Sequence, residues 1–110
     1  MKIGKLTKNK EFDHVFKGGR SSYDKILGVK AVGNEVDQVR VGVIVSSKVS
    51  KRAVDRNKIK RRIKEVFRLR LDKIKPADYV VIVLPEIKDR GFWEIENSIG
   101  LNLKRLKALK

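Results

Sequence analysis

The residues with the clearest chemical potential form a dense run of cations between positions 48 and 70. This window contains eleven Lys and Arg residues against two acidic residues, Asp55 and Glu65. Arginine presents planar, forked donors that match phosphate oxygens. On a helix, several of these cations would stand four residues apart, a spacing at which like charges repel. A phosphate backbone would relieve that repulsion, so the run predicts a polyanionic partner, RNA or DNA.

Side chains suited to acid–base or metal catalysis are scarce in comparison. The chain has one histidine, His14, which follows Asp13, and it has no cysteine. A lone histidine is not an acid–base pair, and no spaced carboxylate cluster suggests a two-metal nuclease. We therefore assign no catalytic residue and no metal ligand in the protein.

The composition bounds the class of protein. The 110 residues carry a formal net charge of +15, and 41% of them are hydrophobic, which suits one core and one domain spanning residues 1–110. Charge kept for solubility alone would be dispersed, with both signs mixed. The absence of cysteine, of a long apolar run and of a signal peptide predicts a cytoplasmic protein.

Hydrophobic periodicity predicts an α+β two-layer sandwich with helices on a small sheet. We expect Thr7 and Ser50 to cap the first two helices. The first two longer strands are predicted to form an antiparallel hairpin, and the last, most apolar strand to be central. The predicted helices are 8–17, 51–73 and 92–109, and the predicted strands are 26–32, 40–46 and 79–84, with a further short strand possible at 21–25.

The second helix would separate two faces. At 100° per residue, an apolar stripe can bury in the core while cations cover the rest. The apolar stripe comprises Ile59, Ile63, Val66 and Phe67. The polar stripe comprises Asn57, Arg61, Lys64 and Arg68.

The order of residues within this helix adds information that charge alone does not. Residues 53–68, AVDRNKIKRRIKEVFR, resemble the signature A-V-x-R-N-x-I-K-R-x-x-R-E-x-F-R of the bacterial ribonuclease P protein family. The one departure is Lys64, where the family more often has Arg. The segments 41–50 and 12–20 also resemble the family's flanking motifs, so the similarity covers nearly the whole chain. Ser47 and an apparent insertion after Lys48 depart from the family pattern in the loop before the helix.

The resemblance implies a fold of order αβββαβα with a left-handed βαβ crossover, although sequence rules alone favour the right-handed form. It also implies a protein that binds the catalytic RNA subunit of ribonuclease P and the 5′ leader of precursor tRNA. Mg²⁺ would be bound mainly by the RNA, which would carry the catalytic centre, and the protein alone would be inactive. No membrane and no further protein partner would be required.

Two sets of site residues follow from the resemblance. The contacts to the RNA subunit would be made by Arg52, Arg56, Asn57, Lys58, Lys60, Arg61, Arg62, Lys64 and Arg68. The leader-binding cleft would contain Phe12, Phe16, Lys30 and Lys48. Phe12 and Phe16 could equally be core residues, since aromatic side chains four residues apart on a helix are often simply buried. Trp93 and Tyr79 are expected in the core or at its edge.

Three alternative functions remain open at this point. A general RNA-binding or ribosomal-type protein would have the same charge but no role in tRNA cleavage. A stand-alone nuclease would need a general base or metal ligands in the chain. A membrane-surface protein would use the basic amphipathic helix on anionic lipid.

Overall fold

A five-stranded mixed sheet organises the molecule in the computed structural model, which describes residues 3–110. The strands lie in the order β1-β4-β5-β3-β2 across the sheet. The α+β class and the order αβββαβα are confirmed, with a two-residue strand added at the amino-terminal end; the hand of the crossover stays a prediction. The strands are β1 (Gly4–Lys5), β2 (Arg20–Tyr23), β3 (Leu27–Val32), β4 (Val39–Ile44) and β5 (Ala77–Val83), and the helices are α1 (Asn9–Gly18), α2 (Ala53–Leu69) and α3 (Phe92–Arg105).

The central position of β5 is confirmed, but the predicted hairpin of β3 and β4 is wrong. Strand β5 lies between them, antiparallel to β3 and parallel to β4. Its apolar residues suit this central position, because a strand that is buried on both faces is apolar along nearly its whole length. Strand β3 instead forms its hairpin with β2, the short strand that the sequence left possible.

The helix ends also differ from the prediction. Lys8, not Thr7, precedes the first turn of α1, and the carboxylate of Glu11 accepts the backbone N–H groups of Thr7 and Lys8 at 3.0 Å each. Helix α2 begins two residues later than predicted, and Ser50 is not its N-cap. The Ser50 hydroxyl accepts the N–H of Arg52 at 3.3 Å, so it orders the approach to the helix. Helix α3 ends at Arg105, short of the predicted 109.

Alternate residues of β5 face two separate cores. Tyr79 and Val81 point toward α2 and α3, where the ring of Phe67 on α2 lies 5.7 Å from that of Tyr79. Val80 points to the opposite face, toward Val15 on α1. Full burial of each large apolar side chain contributes roughly 1.5–3 kcal/mol, so both sets of contacts fix their helices on the sheet. The short helix α1 covers only part of its face, where Ile44 and Ile82 stay partly buried.

No helix within residues 3–110 has the length and apolar character needed to span a membrane.

Candidate nucleic-acid interface

The outer side of α2 carries a cluster of cations that form no ion pair with the acidic residues of the described chain. The apolar stripe of the helix is turned inward as predicted: Ile63, Val66 and Phe67 are buried, and Ile59 packs at the edge of the core. Within the described residues, five cations of this helix form neither an ion pair nor a side-chain hydrogen bond. We call this set the basic face: Lys58, Lys60, Arg61, Arg62 and Lys64.

Two other predicted contact residues already have partners in the protein. Arg56 donates from Nη1 to the backbone oxygen of Ser50 at 2.9 Å, and it therefore helps to hold the loop before α2. Arg68 forms a two-pronged ion pair with Glu65 on the same helix. These engaged cations attract a phosphate less strongly than the residues of the basic face.

The remaining two predicted helix contacts lie near the start of α2 and are both exposed. Arg52 is 3.9 Å from Asp55, a weak contact between exposed groups. Asn57 is exposed, and within residues 3–110 its side chain has no hydrogen-bond partner, so its amide can face a ligand.

Lys64 shows that cations on this surface repel one another. Partial burial lowers the pKa of its ammonium group, and the nearby charges of Lys5 and Lys60 lower it further. Lys5 lies on β1, next to β4, and the sequence pattern did not single it out. An anion bound among these three ammonium groups would relieve their repulsion and favour the charged form of Lys64.

A surface with aromatic side chains lies beside α1, on the opposite face of the sheet. Phe12 is half-buried and lies over β4, so closely that a Cβ at Gly42 would stand 2.5 Å from Cζ of its ring. Phe16, one turn later, is 40% exposed. The structure thus separates the two predicted aromatics: Phe12 forms a wall of the small core, and Phe16 offers its ring to solvent.

A tyrosine that sequence reasoning missed completes this surface. The Nζ atom of Lys30 lies 5.7 Å from the ring centre of Phe16 and 6.0 Å from that of Tyr23. Tyr23 on β2 is 43% exposed, and its ring lies flat against Gly28 of the paired strand β3. The pairing of an aromatic with a glycine across a short hairpin was the available signal. We call the surface formed by Phe12, Phe16, Tyr23 and Lys30 the groove.

A buried ion pair holds α1 at the edge of this groove. Asp78 of β5 is almost completely buried, and it accepts two hydrogen bonds from Arg40 at 2.7 Å each and one from Asn34 at 2.8 Å. Burial alone would raise the pKa of Asp78, but the donors from Arg40 and Asn34 outweigh it and lower that pKa. Arg40 also reaches Glu11 of α1 at 3.3 Å. The position of the groove's aromatic helix therefore depends on this network.

The two remaining sequence expectations have different outcomes. Lys48 is exposed in the turn after β4, and among the described residues its side chain has no hydrogen bond or ion pair, so the structure does not join it to the groove. Tyr79 is fully buried as expected, and burial raises its pKa to about 12. The expectation for Trp93 is wrong: it is 72% exposed, because it follows the first residue of α3 on the side away from the core.

Within the described part of the chain, no three residues among His, Cys, Asp and Glu are grouped so that they could hold a metal ion. The chemistry available on both surfaces is recognition: cations for phosphates and rings for bases. Because α2 and the groove lie on opposite faces of the sheet, two different segments of nucleic acid could be bound at once.

Comparison with known proteins decides between the families that such a surface allows. The family model described as Ribonuclease P matches residues 2–107. The chain belongs to the ribonuclease P protein family. The ribonuclease P protein component of Clostridium botulinum strain 657 is 42% identical over 107 residues, which cover 96% of each chain.

Solved structures of the ribonuclease P family agree with this assignment. The RNase P protein of Staphylococcus aureus superposes with a TM-score of 0.90 at 35% identity, covering 99% of this chain and 100% of the other. The RNase P protein of Thermotoga maritima gives a TM-score of 0.80 at 30% identity, with 94% of each chain covered. Membership of this family does not favour the alternative of a general RNA-binding protein.

Proposed function

We propose that this chain is the protein subunit of a bacterial ribonuclease P, the endoribonuclease that removes the 5′ leader from precursor tRNA. The observation that carries the proposal is the basic face. Its five cations without acidic partners stand on α2, the helix that bears the family signature. Relatives of this chain that have a similar length bear the name ribonuclease P protein component.

The basic face is proposed to bind the RNA subunit. Arg61 and Arg62 bring forked donors for phosphate oxygens, and the lysines add charge that releases counterions from the RNA. Asn57 would reach a base edge or a 2′-hydroxyl. Arg52, Arg56 and Arg68 contribute at the borders, where their intramolecular partners weaken but do not remove their attraction for phosphate.

The groove is proposed to hold the single-stranded leader. The exposed ring of Phe16 can stack on a base, and Lys30 between Phe16 and Tyr23 supplies charge for the adjoining phosphate. Phe12 would shape the floor by holding α1 against β4. Lys48 would act at the far end, beyond the carboxyl terminus of β4.

Catalysis is proposed to reside in the RNA subunit, with Mg²⁺ bound mainly by RNA. The protein's contribution would be to bind and orient: it holds the leader on one face and the RNA subunit on the other, which favours precursor over mature tRNA. The protein alone would be inactive, and its place of action would be the cytoplasm. No membrane and no protein partner are required by this scheme.

The division of labour can be tested by binding. The complex of this protein with a bacterial ribonuclease P RNA should bind precursor tRNA more tightly than mature tRNA. The same RNA without protein should discriminate less, because it lacks the groove. Equal discrimination with and without the protein would contradict the proposed role in leader binding. Cleavage by RNA-free protein in Mg²⁺ would return the stand-alone nuclease to consideration.

A further inference from the structure

Two aromatic side chains are exposed at the start of α3, outside both surfaces described so far. Phe92 is 39% exposed and Trp93 is 72% exposed. They are the first two residues of the helix, and Trp93 is the protein's one tryptophan. Leaving so large a ring in water forgoes stabilisation that burial would bring, so its exposure needs an explanation outside the monomer's own core.

Phe92 stands against the basic face. It lines one shallow concavity together with Lys58, Arg61, Arg62 and Glu65 of α2. The only acid in this set is Glu65, and Arg68 already neutralises it. The cavity therefore joins an aromatic ring to a net positive wall.

Trp93 follows Phe92 directly in α3 and projects further toward solvent. Residues four positions apart share a helix face, and Glu96, which follows Phe92 by four, forms an ion pair with Arg70 at 3.7 Å. This flank of α3 thus faces the α2 side. Trp93 is about 100° further round the helix from Phe92 and away from the buried residues Ile95 and Ile99. Trp93 therefore stands on the outer surface of α3, next in sequence to Phe92, whose ring lines the concavity with the basic face.

The positive charge beside Phe92 and Trp93 indicates which kind of partner binds this surface. A second copy of the chain would bring another charge of +15 against the same cations, and that repulsion opposes self-association. A nucleotide has a phosphate for Arg61 or Arg62 and a base whose flat face fits an aromatic ring. Base stacking on aromatic side chains tolerates any sequence, because every base has a π-face.

We propose that Phe92 and Trp93 form a base-stacking platform that extends the basic face onto α3 and takes an unpaired nucleotide of the ribonuclease P RNA. The inference rests on the proposed function, since it names a further contact with the same RNA partner. Phosphates flanking the nucleotide bind Lys58, Arg61 and Arg62, and the base lies on the ring of Trp93, with Phe92 closing the inner side.

The lone tryptophan makes the platform directly measurable. Full-length protein is titrated with ribonuclease P RNA while Trp93 fluorescence and its quenching by acrylamide are followed, and filter binding reports complex formation independently. The platform predicts that complex formation quenches the emission and shields the ring from acrylamide. If filter binding shows a complex while Trp93 stays as accessible as in the free protein, the platform is wrong and the proposed function stands. If filter binding shows no complex with any such RNA, the proposed function fails first.

Variants separate stacking from a general loss of structure. Trp93→Ala should weaken RNA binding by about 5- to 150-fold, the range expected for one lost stacked base. Trp93→Phe should restore most of the affinity, and Trp93→Leu, which is apolar but not planar, should not. Leu101→Ala is the matched control, because Leu101 is an exposed apolar residue of α3 on its other flank. Equal affinity of Trp93→Leu and wild type would overturn the stacking role. So would acrylamide protection that rises with protein concentration in the absence of RNA, since it would identify a second copy as the occupant.

Discussion

Replacing Arg61 with alanine tests the basic face most sharply, because this residue is exposed and has no ion pair among the described residues. Its loss should therefore remove a phosphate contact without disturbing the protein. Arg56 is a poorer choice, since its bond to the Ser50 carbonyl means that its removal would also loosen the loop before α2.

The magnitude follows from counterion release. Each phosphate neutralised contributes about −0.7 to −0.9 to the slope of log affinity against log salt concentration, for single-stranded and duplex nucleic acid respectively. If all five cations of the basic face contact phosphates, they contribute a slope between about −3.5 and −4.5. Arg61→Ala should make the measured slope shallower by about 0.7–0.9. Between 50 and 200 mM salt, the variant's affinity should then fall roughly threefold less than that of the wild type.

The assay is equilibrium binding of the protein to ribonuclease P RNA at four or more salt concentrations. The control is Lys25→Ala, which removes the same unit charge from an exposed site in the β2–β3 turn, beside the far flank of α3. Lys25→Ala should leave the slope nearly unchanged. An unchanged slope for Arg61→Ala, or an equal change for both variants, would refute the assignment of phosphate contacts to α2.

Three further predictions address the groove and the network that positions it. Phe16→Ala should weaken precursor tRNA binding by about 5- to 150-fold and leave mature tRNA binding unchanged, as measured with the assembled complex; equal losses would mean that its ring serves the fold. Gly28→Ala should lower the free energy of unfolding by about 1–3 kcal/mol in urea titrations, because its Cβ would meet the Tyr23 ring at 2.2 Å; Gly33→Ala, whose Cβ meets nothing within 4 Å, should be neutral. The Asp78 carboxylate has a lowered pKa when folded, so its stabilisation is complete above the unfolded value near 3.8 and is lost as the pH falls further. Asp78→Asn should therefore destabilise the protein at pH 7 by about 3 kcal/mol. It should also flatten the dependence of the unfolding free energy on pH below about 4. If that dependence is the same as in the wild type, the stabilising role of the Asp78–Arg40 ion pair is contradicted.

The sequence was most informative where the spacing of apolar residues matched the surface that an element buries. The stripe of Ile63, Val66 and Phe67 on α2 follows helical spacing, and the structure buries all three. The apolar run in β5 likewise predicted its central place in the sheet. In both cases the period of the apolar residues matches the geometry of the element, so local sequence and tertiary packing agree.

Features that depend on long-range pairing were not predictable in the same way. Residues 26–46 contain two strands joined by a polar turn, which resembles a hairpin, yet β5 is inserted between them from more than thirty residues later. Loop closure over that distance costs little more than over a short one, and the apolar strand gains burial on both faces. Tyr23 was missed for a related reason: only its pairing with Gly28 places it beside Lys30.

Trp93 and Arg56 show why residue type alone misplaces side chains. Large aromatics are usually buried, and the core prediction for Trp93 rested on that tendency; its position on α3 turns it outward. Arg56 has the charge and spacing of an RNA contact, but a carbonyl of the preceding loop lies within its reach. Intramolecular partners of this kind become visible only with coordinates.

The most direct test of the central claim is reconstitution. Purified protein is mixed with a bacterial ribonuclease P RNA, and cleavage of the 5′ leader from precursor tRNA is followed at low, near-physiological Mg²⁺. The proposed function predicts that cleavage appears only when both components are present, and that Arg61→Ala requires more protein to restore it. Binding without cleavage, for every such RNA tried, would contradict the claim that this chain supports ribonuclease P activity.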